Sequence, residues 1–355
     1  MKKKIDENKI TFGDFIANKR RGNRTSILEK IDKTINWVPL KKLILKHFPN
    51  KTDAVGNPAY PAFPLFKAIF LQRLYDLSDV QLEYAIADRL SFAKFMGMSV
   101  EDPVPDSSTI CRFRTALLEK KLSEKLHKLI LDQLMEKGLS LKKGINVDAS
   151  VIESSRHPRK VIDIIPVDRK ETETENPTNS VTSDSDKQKF VVTYSDDPDA
   201  TWLVKGGKPH FGYKLHMGAS AEDGFVLGGH VTSANVSDMR ELPQLLTEIP
   251  HIQGTAINGD KGYTSEANRK AIEQAGFVSR LMYKAARNKP LSDEEKKKNY
   301  EISSVRSGIE RIFGHMKRNL GFSRTRYIGI DKVTQQFFIT AMAVNLVRAV
   351  NLLCL

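Results

Sequence analysis

From Pro64 to about Lys120 the pattern is helical, with Leu65, Ile69 and Leu71 through Leu74 recurring at helix spacing in the first such segment. Ser78-Asp79-Val80-Gln81 is a capping box, and it predicts a helix from Asp79 to about Leu90 with Leu82, Ala85 and Ile86 on its buried face. Pro103 and Pro105 interrupt the pattern. Asp106-Ser107-Ser108 then offers N-cap oxygens to a helix that holds Thr109, Arg112 and Arg114. A further helix is expected over 121–137.

Beyond it the period falls to two. Gly144-Ile145-Asn146-Val147-Asp148 alternates as a strand does, and Asp148 is expected at its end. Phe211–Met217 and Phe225–Val231, joined by an Asp223-Gly224 turn, predict a hairpin, and Asp238 with Glu241 predicts a capped helix. Strands follow at 254–258 and 277–282, with a helix over 264–274 between them. A polar, lysine-rich loop over 288–299 leads to a helix from about Val305 to Asn319. The order β, β, β, α, β, α, β, α implies an α/β fold, a mixed sheet with helices packed on it, preceded by a mainly helical N-terminal domain. Three regions are expected: a basic arm over 1–60, a helical domain over 61–138, and an α/β domain over 139–355.

Composition changes this picture in three places. The chain of 355 residues carries 56 Lys+Arg against 43 Asp+Glu, a formal +13, and such a surplus suits a polyanionic partner. Lys2-Lys3-Lys4 and Lys19-Arg20-Arg21 concentrate it near the start, as a solvated tail or an arm on DNA backbone. Between Glu171 and Asp199 the balance reverses, eight acids facing two lysines among Ser, Thr, Asn and Pro, so an acidic mobile insert is expected over about 163–200. Two cysteines are too few for a disulfide framework or a thiolate zinc site, and no secretory signal opens the chain. Phe337–Leu355 is apolar enough to weigh as a membrane span. Its stripe of Asn345, Arg348 and Asn351 favours a buried core helix, so an intracellular protein with no membrane partner is expected.

Short helices with Thr109, Arg112 and Arg114 near the start of the last one are compatible with a helix-turn-helix DNA reader, and equally with an ordinary helical domain. Metal-assisted phosphoryl transfer would need hard oxygen ligands on rigid elements. Asp148 follows one strand. Asp260 follows another within Asn258-Gly259-Asp260-Lys261-Gly262-Tyr263. Taken singly, either reads as a turn or cap residue. In the third segment Arg306, Glu310 and Lys317 project within roughly 40° of one another on a helix. That places a carboxylate between two cations, to meet either a metal beside DNA phosphates or salt-bridge partners. Lys214 and His216 read as structural or peripheral, His157 as a solvated loop residue, and Trp202 as a core or lid residue or a stacking platform.

Together these segments resemble the DDE transposases of the insertion sequence five group. The resemblance is carried by Gly144–Ser150 with Asp148, Gly212–His216, Val231–Asp238, Gly259–Tyr263 with Asp260, and Val305–Lys317 with Glu310. It runs from about residue 60 to the C-terminus, and Leu65–Arg114 resembles the N-terminal domain that accompanies the catalytic one. The third family motif reads Tyr, two residues, Arg, three residues, Glu, six residues, Lys. Arg306, Glu310 and Lys317 fit it, while the tyrosine position holds Ser303.

The resemblance implies a ribonuclease-H-like catalytic domain in which Asp148, Asp260 and Glu310 hold two Mg²⁺ ions, with Mn²⁺ able to substitute. It also implies a reaction in which water cuts at an element end and the freed 3′-hydroxyl attacks target DNA. Arg306 and Lys317 are then expected on DNA phosphates. The implied partners are double-stranded DNA, as inverted-repeat ends and as target, and further copies of the chain in a homo-oligomer. The implied place of action is the cytoplasm, at the nucleoid. A nuclease on the same fold without joining activity, and a non-catalytic DNA-binding relic, remain open.

Overall fold

A computed structural model of the chain describes residues 25–49, 60–99, 101–138, 143–156, 158, 163–166, 180–181, 190–193, 196–285 and 290–353. They fall into two compact units. One holds the described residues of Met1–Leu139 together with Gln335–Leu355, the other those of Ser140–Thr334.

The first unit is helical. Its helices are α1 (Ile27–Thr34), α2 (Val38–His47), α3 (Ala62–Leu74), α4 (Asp79–Asp88), α5 (Leu90–Met96), α6 (Ser107–Glu119) and α7 (Leu122–Glu136). The basic arm expected over 1–60 is therefore folded in part. Ser26 and Glu29 form a capping box, and Leu28, Ile31, Leu40 and Ile44 are buried at helical spacing. The two lysine clusters near the start lie outside the described residues.

Helix α3 is buried from Ala62 to Arg73, which makes it the core helix of this unit. Of its two buried charged residues, Lys67 survives there because its ammonium meets several partners. The ammonium bonds Asp32 at 3.1 Å and the Phe95 carbonyl at 2.7 Å, and it lies 4.8 Å from the Trp37 ring centroid.

The segment expected at the end of the α/β domain also belongs here. From Gln335 onward, helix α11 (Ile330–Leu352) clusters with the helical unit, where Gln335 bonds the Arg114 carbonyl and Asn345 meets His127. This helix is long and apolar enough to cross a membrane by length and composition. However, 83% of its apolar window is buried inside the protein, as expected of a core helix.

The second unit is built on β1 (Ile145–Glu153), β5 (Thr201–Lys205), β6 (Lys208–Ser220), β7 (Val226–Ser233), β8 (Ala256–Gly259) and β9 (Val278–Leu281). Strands β1, β6 and β7 are antiparallel neighbours, and β8 and β9 run parallel to β1. This is the mixed sheet that the ribonuclease-H-like resemblance implies. Helices α8 (Asp238–Glu248), α9 (Glu266–Gln274) and α10 (Asp293–Asn319) flank it. Three further short strands, β2 (Asp163–Pro166), β3 (Ser180–Val181) and β4 (Phe190–Thr193), pair with one another inside the acidic insert, and the rest of 159–195 lies outside the described residues.

Four local expectations are corrected. Asp148 lies in mid-strand, because β1 continues to Glu153 against β6. Helix α10 begins at Asp293 instead of Val305, since Ser292 and Glu295 form a capping box and Asp293 to Glu295 complement the helix dipole. Asp238 is the first residue of α8 and not its cap, its carboxylate going instead to Lys214 at 2.9 Å. Finally, Asp197 is fully buried at the end of the insert, where its carboxylate accepts from Ser154 and Tyr213, each at 2.5 Å.

Behind the sheet, His216 and His230 face each other across β6 and β7 with ring centroids 5.1 Å apart. Gly228 lets the end of α8 approach, for a Cβ there would stand 2.2 Å from the Glu248 carbonyl oxygen. Glu248 and Glu241 then clamp His230 at 2.7 and 3.1 Å. Burial opposes the charge on His230, but the two carboxylates outweigh it and raise its pKa to about 9. Burial, helped by the charge of His230, lowers that of His216 to about 3.

A raised histidine pKa stabilises fully below the unfolded value and ceases to as pH rises through the folded one. The wild type should therefore lose on the order of 3 kcal/mol between pH 6.5 and 9 that a His230→Gln variant does not lose. Urea unfolding at the two pH values measures this, and parallel losses in both proteins would refute the clamp.

Candidate active site

Two buried asparagines organise the site. Asn146 on β1 and Asn258 on β8 are paired positions of adjacent parallel strands, and both are fully buried. Asn258 Nδ2 donates to Asn146 Oδ1 at 3.1 Å and to the Lys143 carbonyl at 3.3 Å. Asn146 Nδ2 donates to the Val305 carbonyl on α10 at 2.9 Å. Asp148 and Asp260 each lie two residues beyond one of these amides, and Glu310 lies five beyond Val305. The three elements bearing the candidate acids are thus linked through two side chains. The signal in the sequence was the repeated Asn-x-Asp, which the motif reading passed over.

Asp148 is mostly buried. Its Oδ2 accepts from Arg306 Nη1 at 2.9 Å, and its Oδ1 accepts from the Ala149 N–H at 2.9 Å. Burial pushes its pKa up to about 6. Arg306 opposes the shift, and the nearby charge of Asp260 adds to it. Asp260 caps a 3₁₀ turn, Lys261–Tyr263, through a 2.6 Å bond from the Gly262 N–H. Glu310 is largely exposed, and its Oε1 meets Arg306 Nη2 at 3.3 Å. One guanidinium therefore spans Asp148 and Glu310, while Asp260 stands close enough to be felt at Asp148.

Among the described residues no three His, Cys, Asp or Glu side chains stand together at metal-holding distance. The donor set still fits a hard divalent ion: it consists of carboxylate oxygens, Asp260 raises the cost of ionising Asp148, and a cation already bridges Asp148 to Glu310. Tyr263, buried beneath, has its phenol pKa raised well above the usual by burial and by Asp238, Asp148 and Asp260, so it stays neutral there.

The other expected site residues divide. Lys317 donates to the Val151 carbonyl at 2.7 Å, and burial and the charge of Lys205 lower its pKa. The salt-bridge alternative for this helix thus holds for Arg306, whereas Lys317 is anchored to β1. Ser303 is exposed on α10, and Lys214 and His216 are structural, as expected. Trp202 packs its ring 5.3 Å from Phe211 yet stays 42% exposed, and His157 lies outside the described residues.

In the helical unit Arg112 is exposed and Thr109 half-buried near it. Arg114 is corrected: it is buried and spends its charge on Asp79, which also holds Gln72, so its guanidinium does not face outward. Lys205, which the sequence reading did not select, is exposed, and its charge acts on both Asp148 and Lys317.

A carboxyl whose pKa rises from 3.8 to about 6 destabilises the fold progressively as pH climbs through that interval. In metal-free protein the stability of Asp148→Asn relative to wild type should therefore increase from pH 4 to pH 7, by up to roughly 3 kcal/mol. Chemical unfolding in a chelator measures it, and a flat or falling difference would show that Asp148 is not held in this way.

The family profile described as "Transposase DDE domain" matches residues 145–346, and one described as "Transposase domain (DUF772)" matches residues 16–116. The transposase for insertion sequence element IS1106 of Neisseria meningitidis serogroup B is 34% identical over 243 residues, covering 68% of this chain and 77% of its own. Among solved structures, the piggyBac transposase synaptic complex with hairpin DNA aligns over 91% of this chain and 74% of its own, at 11% identity and a TM-score of 0.45. The Mos1 strand transfer complex aligns over 81% and 85%, at 11% identity and a TM-score of 0.21. The profile match spans more than half of the chain, and the chain belongs to the DDE transposases, DNA-cutting and strand-transferring enzymes that use divalent metal ions.

Proposed function

We propose that Asp148, Asp260 and Glu310 are the catalytic acids of this transposase and hold two Mg²⁺ ions, with Mn²⁺ able to take their place. The observation that carries the reading is the Arg306 bridge: a single cation already spans Asp148 and Glu310, at the point where Asp260 raises the cost of a second negative charge. The bound ions would supply a polarised phosphodiester and an activated attacking oxygen. The protein's own part is to fix the acids through Asn146 and Asn258 and to place Arg306 beside the DNA strand. Releasing Asp148 and Glu310 frees the Arg306 guanidinium for a phosphate oxygen, and Lys317, anchored to Val151, adds a second positive charge on the same helix.

The substrates are the inverted-repeat ends of the element and then target DNA. Thr109 and Arg112 at the start of α6 contact DNA from the helical unit. Both ends are held by a homo-oligomer, and the enzyme acts in the cytoplasm, on the nucleoid.

Linear DNA carrying the gene's own flanking ends, incubated with Mg²⁺, should be cut at those ends and yield joined products. Asp260→Asn should lower both yields by more than about a hundredfold. Metal-dependent cutting without joining would instead make the chain a nuclease. Binding without cutting would make it a relic, and the assignment of Glu310 would fall with it.

A further inference from the structure

Helix α10 continues well past the residues already placed at the site. Arg306, Glu310, Gly314 and Arg318 follow at intervals of four, so they form one continuous ridge along it. The ridge begins at the site itself, where the Arg306 guanidinium meets Asp148 and Glu310. Arg318 stands eight residues beyond Glu310, roughly 12 Å along the helix axis. Arg311 precedes Arg318 by seven residues and projects within about 20° of it.

Gly314 interrupts this ridge without a packing reason. A Cβ built there would lie 2.9 Å from Arg318 Nη2, the far end of a flexible side chain, and its next contacts are atoms of the same guanidinium at 3.7 Å. Gly308, the other glycine of α10, instead faces Asn146 Nδ2 at 3.7 Å and the Ala221 carbonyl oxygen at 3.9 Å. Glycine loses more chain freedom on folding than any other residue and weakens a helix interior. What it leaves at 314 is bare backbone one turn from Glu310, open to close approach by another molecule.

The exposed side of this stretch carries one sign of charge. From Ser303 to Asn319 the only acid is Glu310, against Arg306, Arg311, Lys317 and Arg318. Ile309, Ile312, Phe313 and Met316 are buried on one side of the helix, while Ser307, Arg311 and Arg318 are exposed on the other. Arg318 Nε donates to the Gly314 carbonyl at 3.4 Å, which lays the guanidinium across the glycine. No ion pair to Arg311 or Arg318 is found among the described residues.

We propose that this ridge is the floor of a DNA track: the duplex backbone that leaves the phosphate at Asp148, Asp260 and Glu310 passes over Gly314 and is held by Arg318 and Arg311. The occupant follows from charge and shape. Two unneutralised guanidinium groups in line with the site match the repeated phosphates of a DNA strand, and a bare glycine lets that strand lie close. Contacts of this kind position a duplex without reading its sequence. The inference rests on the assignment of the acids above.

The test uses the full chain, without divalent metal, and follows fluorescence anisotropy on two duplexes of equal length, one carrying the element end and one unrelated. Arg311→Ala with Arg318→Ala should weaken both several-fold at physiological salt. It should also flatten the plot of log affinity against log salt by about 1.8, the value for two lost phosphate contacts. Arg311→Lys with Arg318→Lys should restore the slope. Gly314→Leu keeps every charge and puts a better helix former on α10, so it should unfold at no lower urea concentration than wild type. It should nevertheless bind both duplexes several-fold more weakly, because the leucine stands where the backbone passes.

Arg240→Ala with Lys270→Ala removes equal charge from exposed positions on α8 and α9 and should leave the slope unchanged. An unaltered slope in the arginine variant, an equal change in this control, or a loss on one duplex only would overturn the track. So would a Gly314→Leu protein that binds normally, or one that unfolds earlier, since the glycine would then serve packing. If binding responds as expected but Asp260→Asn still cuts the ends like wild type, the assignment of the acids falls. Cutting that needs Asp260 alongside an unaltered slope removes the track alone.

Discussion

The hydrogen bond between Asn258 and Asn146, continued to the Val305 carbonyl, is the constraint on which the catalytic unit turns. A parallel pair of strands brings their ends to one edge of a sheet, but it does not place a helix against them. Two buried amides do both here. Each bond contributes only about 1 kcal/mol net, yet breaking one strands a buried polar group at a cost of about 1–3 kcal/mol. The arrangement therefore has few near alternatives. Small shifts of α10 against β1 would cost a hydrogen bond before they cost any apolar contact.

With the frame set, the sheet separates two charged layers of different character. On one face the acids are under-compensated: burial raises Asp148, Asp260 adds to the effect, and a single guanidinium offsets part of it. On the other, His230 is over-compensated by Glu241 and Glu248, and Lys214 pairs with Asp238. A site short of positive charge invites a cation. A layer whose charges are paired within itself serves as its rigid backing, which is why the histidines here belong to the scaffold. Tyr263 is kept neutral by its burial and then by the negative charges of Asp238, Asp148 and Asp260.

Much of this was legible in the chain. The alternation around Val147, the Asp223-Gly224 turn and the capping box at Ser78 each encode their own element, and the structure has a strand, a hairpin and a helix there. The spacing of Arg306 and Glu310 was enough to place them together. What stayed hidden depends on partners distant in sequence. Nothing near Arg114 announces that Asp79 will bury it. Nothing near Lys205 reveals that its charge will act on Asp148. The polar run before Val305 reads as a loop because an exposed helical turn lacks an apolar stripe, and only the Ser292 box marks its start. Glycines at 206 and 207 signalled the missed hairpin, but β5 is an exposed edge strand with little alternation to display.

The helical unit is discontinuous: a polypeptide of nearly two hundred residues separates α7 from the part of α11 that completes it. During synthesis the α/β unit is therefore finished first, while the helices before it still lack the surface that Gln335, Phe338 and Asn345 cover. Docking of that last segment closes contacts of very high sequence separation and is a late event in folding. A ribosome that stops short of residue 335 would release a chain with Asp148, Asp260 and Glu310 in place and its first unit open. The order of translation thus makes completeness of the message a condition for a finished enzyme.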